Sequence, residues 1–543
     1  MTFPAAEIEP PLRIDAPEVV PDLAARLGTR ARQAALEARG VSDEAIHGFD
    51  DPLGPREDVD VVIVGAGPGG ASAARVLSQA GLDVLMLEDG PARSRFRSAW
   101  GNAARYHYQE DYLMVAEGPV PLPVAAGRGV GGGSLVNSAI CFRSPRHVLE
   151  HWADLLDDAR FAPDAMAEVY AEIEARIEVV PVGEAIAGEN NLLVERGVRK
   201  LGLEGGLLRR NAPDCIGCGI CNIGCPTGGK FSVDKNLILD ARRLGARVQA
   251  DCRVQEVLVE GGRAVGVVGR LRHPDTRAEG PTLEVRAKAV VLCAGAIGTP
   301  RLLHSCGVAD RLGPVGETLH LHPGSGVLGL CDFPVHMWRG ATQGAYVHDR
   351  ANPKVLPHTF NAPPEVFIAQ SGAVGAEAKK MLSELNHLCG LGVMVSDDGV
   401  GSVRAMKSGR AKIKYTWNPK DLQILKDGMV LSGRVLLAGG AREVFALRHQ
   451  AGRHTDAESL QAEMDRTELA DLTLYASHPM GTSPMGPDPE TSVVDRTGRA
   501  HRMEGLYMAD AGVFPSSLGV NPQLTTMTLS TVLAAGWAEE LVG

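Results

Sequence analysis

Cys215, Cys218, Cys221 and Cys225 are spaced C-x2-C-x2-C-x3-C and followed by proline. Thiolates at this spacing can wrap a corner of an iron–sulfur cubane, and Gly217 and Gly219 let the backbone curl and donate N–H bonds to sulfur. No second run of this kind supplies a fourth ligand. A 4Fe–4S cluster would need Cys225 in an altered geometry or a distant thiol, and a 3Fe–4S cluster would need neither. Structural zinc calls for four tetrahedral thiolates, usually in separated pairs. A metal-free or disulfide-bonded turn calls for no metal at all. All three readings stay open. Cys141, Cys252, Cys293, Cys306, Cys331 and Cys389 are scattered, several in apolar settings. They read as buried free thiols, not as a secreted disulfide framework.

A second kind of chemistry is written in glycine. Gly65, Gly67 and Gly70 form G-x-G-x-x-G between an apolar stretch, DVVIV, and a helical one. In a βαβ unit of Rossmann type, the first glycine permits the tight turn. The second lets backbone approach a pyrophosphate, and the third lets helix and strand pack closely. The pyrophosphate rests on the N-terminal end of the helix, where free N–H groups favour negative charge. Glu88, 21 residues after Gly67, closes the second strand and is placed to accept hydrogen bonds from a ribose diol. These residues alone do not separate FAD from NAD.

Three later stretches add to this loop: GRGVGGGSLVNSAICFR from Gly127, GAIGTPRLLHSCG from Gly295, and the C-terminal group HPMGTSPMG, MADAG and GVNPQLTTMT. With the dinucleotide loop, in this order, they resemble the glucose–methanol–choline (GMC) oxidoreductases from Asp58 almost to the end. The cysteine run and the HPGSGVLGLCDFPV stretch are most similar to the long-chain alcohol and sterol branches. The chain departs from the family pattern at Gly133, Cys141 and Cys306, which replace a serine, replace a tyrosine and split a Ser-Gly pair.

The resemblance implies FAD as cofactor, with Gly131, Gly132, Ser134 and Asn137 near the flavin ring or ribityl chain. It places Asp510 at the diphosphate–ribityl region, and Asn521, Pro522 and Thr525 on the pyrimidine side of the ring. It also implies a small-molecule substrate that is an alcohol, and an electron acceptor that is oxygen, a quinone or a protein carrier. Alcohol oxidation removes a hydroxyl proton and moves a hydride from carbon to flavin N5. Histidine suits the proton because its ordinary pKa lies near neutrality. His478 matches the family's catalytic histidine and is expected to act as base, with Asn521 donating to the substrate oxygen. Of sixteen histidines, His320 and His322 alternate as on a strand and read as structural or supporting.

These groups need a scaffold. The 543 residues suffice for two lobes around a large core, with 44% hydrophobic and 22% charged residues, as in globular proteins. A formal net charge of −11 with no basic stripe argues against a nucleic-acid partner. No apolar run reaches membrane-span length, and MTFPAAEIEPPLRIDAP lacks the regions of a signal peptide, so a cytoplasmic enzyme is expected. The expected fold class is α/β plus α+β: a Rossmann-type FAD lobe assembled from discontinuous segments, with an inserted mixed-sheet substrate lobe. Residues 1–56 form an extension with a surface helix in PDLAARLGTRARQAALEARG. Residues 57–155, 226–325 and 470–543 form the FAD lobe. Residues 156–225 and 326–469 form the substrate lobe, including the cysteine segment 215–226. Few aromatic residues (4%) and Met-rich aliphatic patches favour an apolar alcohol over a sugar.

Overall fold

The strand Arg56–Val64 runs REDVDVVIV, and its last residues are buried on both faces, as a central parallel strand requires. In the computed structural model, which describes residues 46–542 apart from 93–99, 362–363, 365–366 and 369–372, this strand sits mid-sheet. Val84–Leu87 pairs parallel on one side of it and Glu279–Leu292 on the other. The sheet continues outward to Arg247–Gln249 and Ile46–His47. The far half of Glu279–Leu292 pairs parallel with Leu506–Met508, while its near half turns into an antiparallel meander with Arg263–Arg272 and Cys252–Glu260. One eight-stranded sheet is thus gathered from three separated stretches of chain. The helix proposed within the first 45 residues lies outside the described residues.

A second, six-stranded antiparallel sheet holds Gly324–Leu330, Ala345–His348, Val355–Thr359, Leu388–Val395 and Glu443–Ala446, with Glu204–Leu207 at one edge. The helix Pro419–Gly439 packs across it, close enough that a Cβ on Gly428 would meet Val355 at 2.3 Å. Each sheet has its own hydrophobic core, and both cores lie within one compact unit, residues 43–543.

The helix Pro163–Arg176 packs into the first core, although the expected boundary at 156 assigns it to the second lobe. Its Met166, Tyr170 and Ile173 form the buried stripe, and the Tyr170 hydroxyl meets Thr525 Oγ1 of the C-terminal helix at 2.8 Å. The expected strand alternation at His320 and His322 is replaced by isolated bridges, and His322 takes a left-handed backbone at φ 49°. No helix among the described residues is long and apolar enough to cross a membrane.

Candidate active site

Two glycine loops meet back to back over the carboxyl ends of the parallel strands. Gly65 is at φ 105°, and a Cβ there would meet Cys293 O at 2.3 Å. A Cβ on Gly70 would lie 2.0 Å from Gly65 O, so helix Pro68–Gln79 comes as close to its strand as backbone allows. Gly132 is at φ 52°, and its Cβ would lie 2.7 Å from Gly67 Cα. Gly131 N donates to Ala66 O at 2.9 Å and ties the second loop to the first. Only glycine permits this contact, and Gly65, Gly67, Gly132 and Gly133 line a cavity of about 810 Å³. That volume is in the range of cofactor and ligand sites.

Glu88 lies at the cavity edge, where the second strand ends. It accepts N–H bonds from Ala66, Gly90 and Gly129 at 2.9–3.0 Å, and burial raises its carboxyl against these bonds. Asp89, Arg128, Arg253 and Arg301 also line this end and were missed from sequence. Burial pushes Asp89 up, but Arg253 at 2.8 Å and Arg128 at 3.4 Å hold it well below the ordinary carboxylate range. Arg128 and Arg301 lie in two of the glycine motifs and Arg253 in the strand Cys252–Glu260, and nothing in the spacing shows that they converge.

Asp510 accepts from Gly295 N (2.8 Å), Thr299 Oγ1 (2.9 Å) and Gly512 N (2.6 Å) along the same wall. It therefore pins the start of helix Gly295–Ser305 to the strand Leu506–Met508. Ser134 and Asn137 both line the cavity. Ser134 Oγ donates to Gly131 O at 2.7 Å, and Asn137 Nδ2 donates to Gln523 Oε1 at 2.7 Å. Asn521, Pro522, Gln523 and Thr526 line it as well. Thr525 does not, because its hydroxyl is turned to Tyr170 on the opposite face of the C-terminal helix.

His478 and Asn521 come together in the cavity wall, with His478 Nε2 and Asn521 Nδ2 3.1 Å apart. Behind them, His322 Nδ1 is 3.3 Å from His478 Nδ1, and the two rings stand edge to face. Burial keeps His478 well below the ordinary histidine pKa, aided by His322 and His358 and opposed by Asp397. Burial also lowers His322 to about 4. The lining also carries apolar side chains, Met114, Phe360, Phe367, Leu447 and Leu474 among them, together with Thr342, Gln343, Asn361 and Thr473.

The cysteine run wraps a loop that is closed tightly by glycine. Gly217 and Gly219 sit at φ 70° and 72°, and a Cβ on Gly219 would meet Trp338 O at 1.9 Å. Among the described residues no group of three or more His, Cys, Asp or Glu side chains is arranged to hold a metal ion. The cluster and zinc readings therefore find no ligand set here. The sulfurs instead face N–H donors. Arg210 Nη2 lies 3.1 Å from Cys221 Sγ and its Nη1 lies 3.8 Å from Cys215 Sγ, while Lys230 N donates to Cys225 Sγ at 3.2 Å. Burial raises the Cys221 thiol, but Arg210 and Lys230 outweigh it and bring the pKa below its ordinary value. Burial moves Cys218 the other way, to about 12.

The same two cations reach the cavity wall. Arg210 Nε donates to Ser138 O at 2.7 Å, and Lys230 Nζ donates to Leu135 O and Asn137 O at 2.8 Å. Asn222 Nδ2 adds a bond to Val136 O at 2.9 Å. The cysteine loop thus props residues 135–138 from behind.

Residues 26–324 and 375–530 match the N- and C-terminal domains of the GMC oxidoreductases. An uncharacterized GMC-type oxidoreductase of Mycobacterium tuberculosis is 37% identical over 489 residues, covering 89% of this chain and 76% of that one. Long-chain-alcohol oxidase FAO1 of Arabidopsis thaliana is 28% identical, covering 89% and 67%. The solved structure of pyridoxine 4-oxidase from Mesorbium loti has the same fold, with a TM-score of 0.68 at 18% identity over 89% of this chain and 99% of that one. The glycine cradle, the histidine–asparagine pair and both matched halves lead to one statement: this chain belongs to the GMC oxidoreductase family.

Proposed function

We propose that the protein is an FAD-dependent oxidoreductase that oxidises the CH–OH group of an apolar alcohol, long-chain or sterol-like, to an aldehyde or ketone. The observation that carries this reading is the pairing of His478 with Asn521 in the wall of the cavity that the two glycine loops also line. The residues fit the cofactor: the loops can approach a pyrophosphate only because Gly65, Gly67 and Gly132 lack side chains. Glu88 and Asp510 stand at the adjoining wall. Bound FAD would supply the hydride acceptor. Asn521 holds the substrate oxygen, and His478 is the group that takes the hydroxyl proton.

The apolar lining and the long-chain-alcohol oxidases among the relatives support the substrate class. A sugar hydroxyl set against Met114, Leu447 or Leu474 would be desolvated without a partner, at a cost of roughly 1–3 kcal/mol. The cysteine run stays outside the proposed electron path, because among the described residues no metal-holding group is found and the Cys221 and Cys225 sulfurs meet N–H groups of Arg210 and Lys230. Replacing His478 with alanine tests the reading. Alcohol-driven bleaching of the flavin should collapse, while reduction by dithionite should persist.

A further inference from the structure

The contacts around His478 fix which of its nitrogens carries the proton. Gly519 N–H donates to His322 Nε2 at 2.9 Å, and a backbone N–H cannot exchange roles. Nε2 of His322 is therefore a lone pair, and the neutral ring carries its proton on Nδ1. That N–H faces His478 Nδ1 at 3.3 Å, so His478 Nδ1 must accept. A neutral His478 then has its proton on Nε2, the nitrogen towards Asn521.

A separate observation agrees. With its amide nitrogen towards His478, Asn521 leaves Oδ1 buried and without a donor. Turning the amide over gives that oxygen the His478 Nε2–H and removes the conflict of two donors on one neutral ring.

We propose that His322 is a positioning residue that holds His478 in the Nε2–H tautomer, with that N–H given to Asn521 Oδ1 in the resting site. The inference rests on the alcohol-oxidoreductase reading and adds a condition to it: before His478 takes the hydroxyl proton at Nε2, its own proton moves to Nδ1 and that of His322 to Nε2. His478 can take a hydroxyl proton at Nε2 only in the other tautomer. That state makes His322 Nδ1 an acceptor, moves its proton to Nε2 and breaks the bond from Gly519. A doubly protonated His478 is opposed as well, because His322 Nδ1–H points at its Nδ1.

The seat of His322 is built for this task. The residue is buried at φ 49°, in a backbone region where strain persists only if its surroundings enforce it. Asp397 enforces it by accepting Leu321 N–H at 3.0 Å and His322 N–H at 3.3 Å. Tyr415 (2.7 Å) and Ser517 (2.8 Å) in turn hold Asp397. The titratable groups facing the pair are Asp397, His320 and His358. Of these, the Asp397 carboxylate favours a charged His478 and His358 disfavours it.

The test uses the FAD-loaded protein with ring-15N histidine and compares wild type, His478→Ala for assignment, and His322→Leu. In the wild type at neutral pH, His478 Nε2 and His322 Nδ1 should show the shifts of protonated ring nitrogens and their ring partners those of lone-pair nitrogens. In His322→Leu, with flavin content retained, the acid limb of alcohol-driven flavin reduction should move up in pH, because nothing then faces His478 Nδ1. A protonated His478 Nδ1 in the wild type would overturn the proposal. So would identical acid limbs in wild type and variant. If no alcohol reduces the flavin at all, the functional reading fails, and the nitrogen shifts still decide the tautomer.

Discussion

His322, His358 and His478 are neutral when folded because burial removes the water that would stabilise their charge. His322 and His358 are both lowered to about 4. Unfolded, each would take up a proton near its ordinary 6.5, so between about 4 and 6.5 the unfolded chain binds more protons. Their contribution to stability is therefore complete above 6.5 and lost as pH falls towards 4. His320 runs the other way: Asp397 overcomes its burial and raises it. A thermal melt followed from pH 7 to 4.5 should show a falling midpoint, and His358→Phe should flatten part of that fall. His478 was legible from sequence because its role travels with a motif. His322 was not, because its importance lies in a left-handed backbone and a carboxylate seat 75 residues away, at Asp397. Thr525 fell outside the cavity for a helical reason. Pro522 and Thr526 are four apart and share a face, and Thr525 is about 100° away from it, against Tyr170.

At the scale of elements, the two loops were the most readable feature, since each is spelled in glycines whose spacing has a mechanical reason. Their mutual contact was not readable, because residues 67 and 132 are brought together only by the sheet. Gly132→Ala would put a Cβ 2.7 Å from Gly67 Cα at a left-handed φ. The flavin-to-protein ratio after purification should drop several-fold while the melt stays cooperative. The cysteine loop taught the opposite lesson. Its spacing points to a cluster, yet its sulfurs engage Arg210 and Lys230, two residues whose burial no local pattern announces. Arg210→Met should loosen residues 135–138 and leave Cys221 without its main cation. The expected outcome is a loss of about 1–3 kcal/mol in urea unfolding, in line with leaving buried hydrogen-bond acceptors unpaired, and weaker flavin retention. An unchanged melt would show that these bonds carry no weight.

For the whole molecule, the α/β character and the assembly of one sheet from distant segments followed from a βαβ pattern near the start and nucleotide-type motifs in the middle and at the end of the chain. The antiparallel second sheet did not, since its strands are short and buried on both faces and show little alternation. What the fold achieves is a histidine–asparagine pair in the wall of a cavity that also carries many apolar side chains. Each methylene buried there is worth about 0.8 kcal/mol, so kcat/KM for primary alcohols should rise roughly fourfold per added carbon until the cavity is full. Glucose should be a poor substrate at any concentration. The most direct measurement is anaerobic mixing of the flavin-loaded protein with a long-chain primary alcohol while the visible flavin band is followed. The account predicts bleaching in the wild type, its loss in His478→Ala, and bleaching of both by dithionite. An inert flavin with every alcohol, or equal bleaching in wild type and variant, would contradict it.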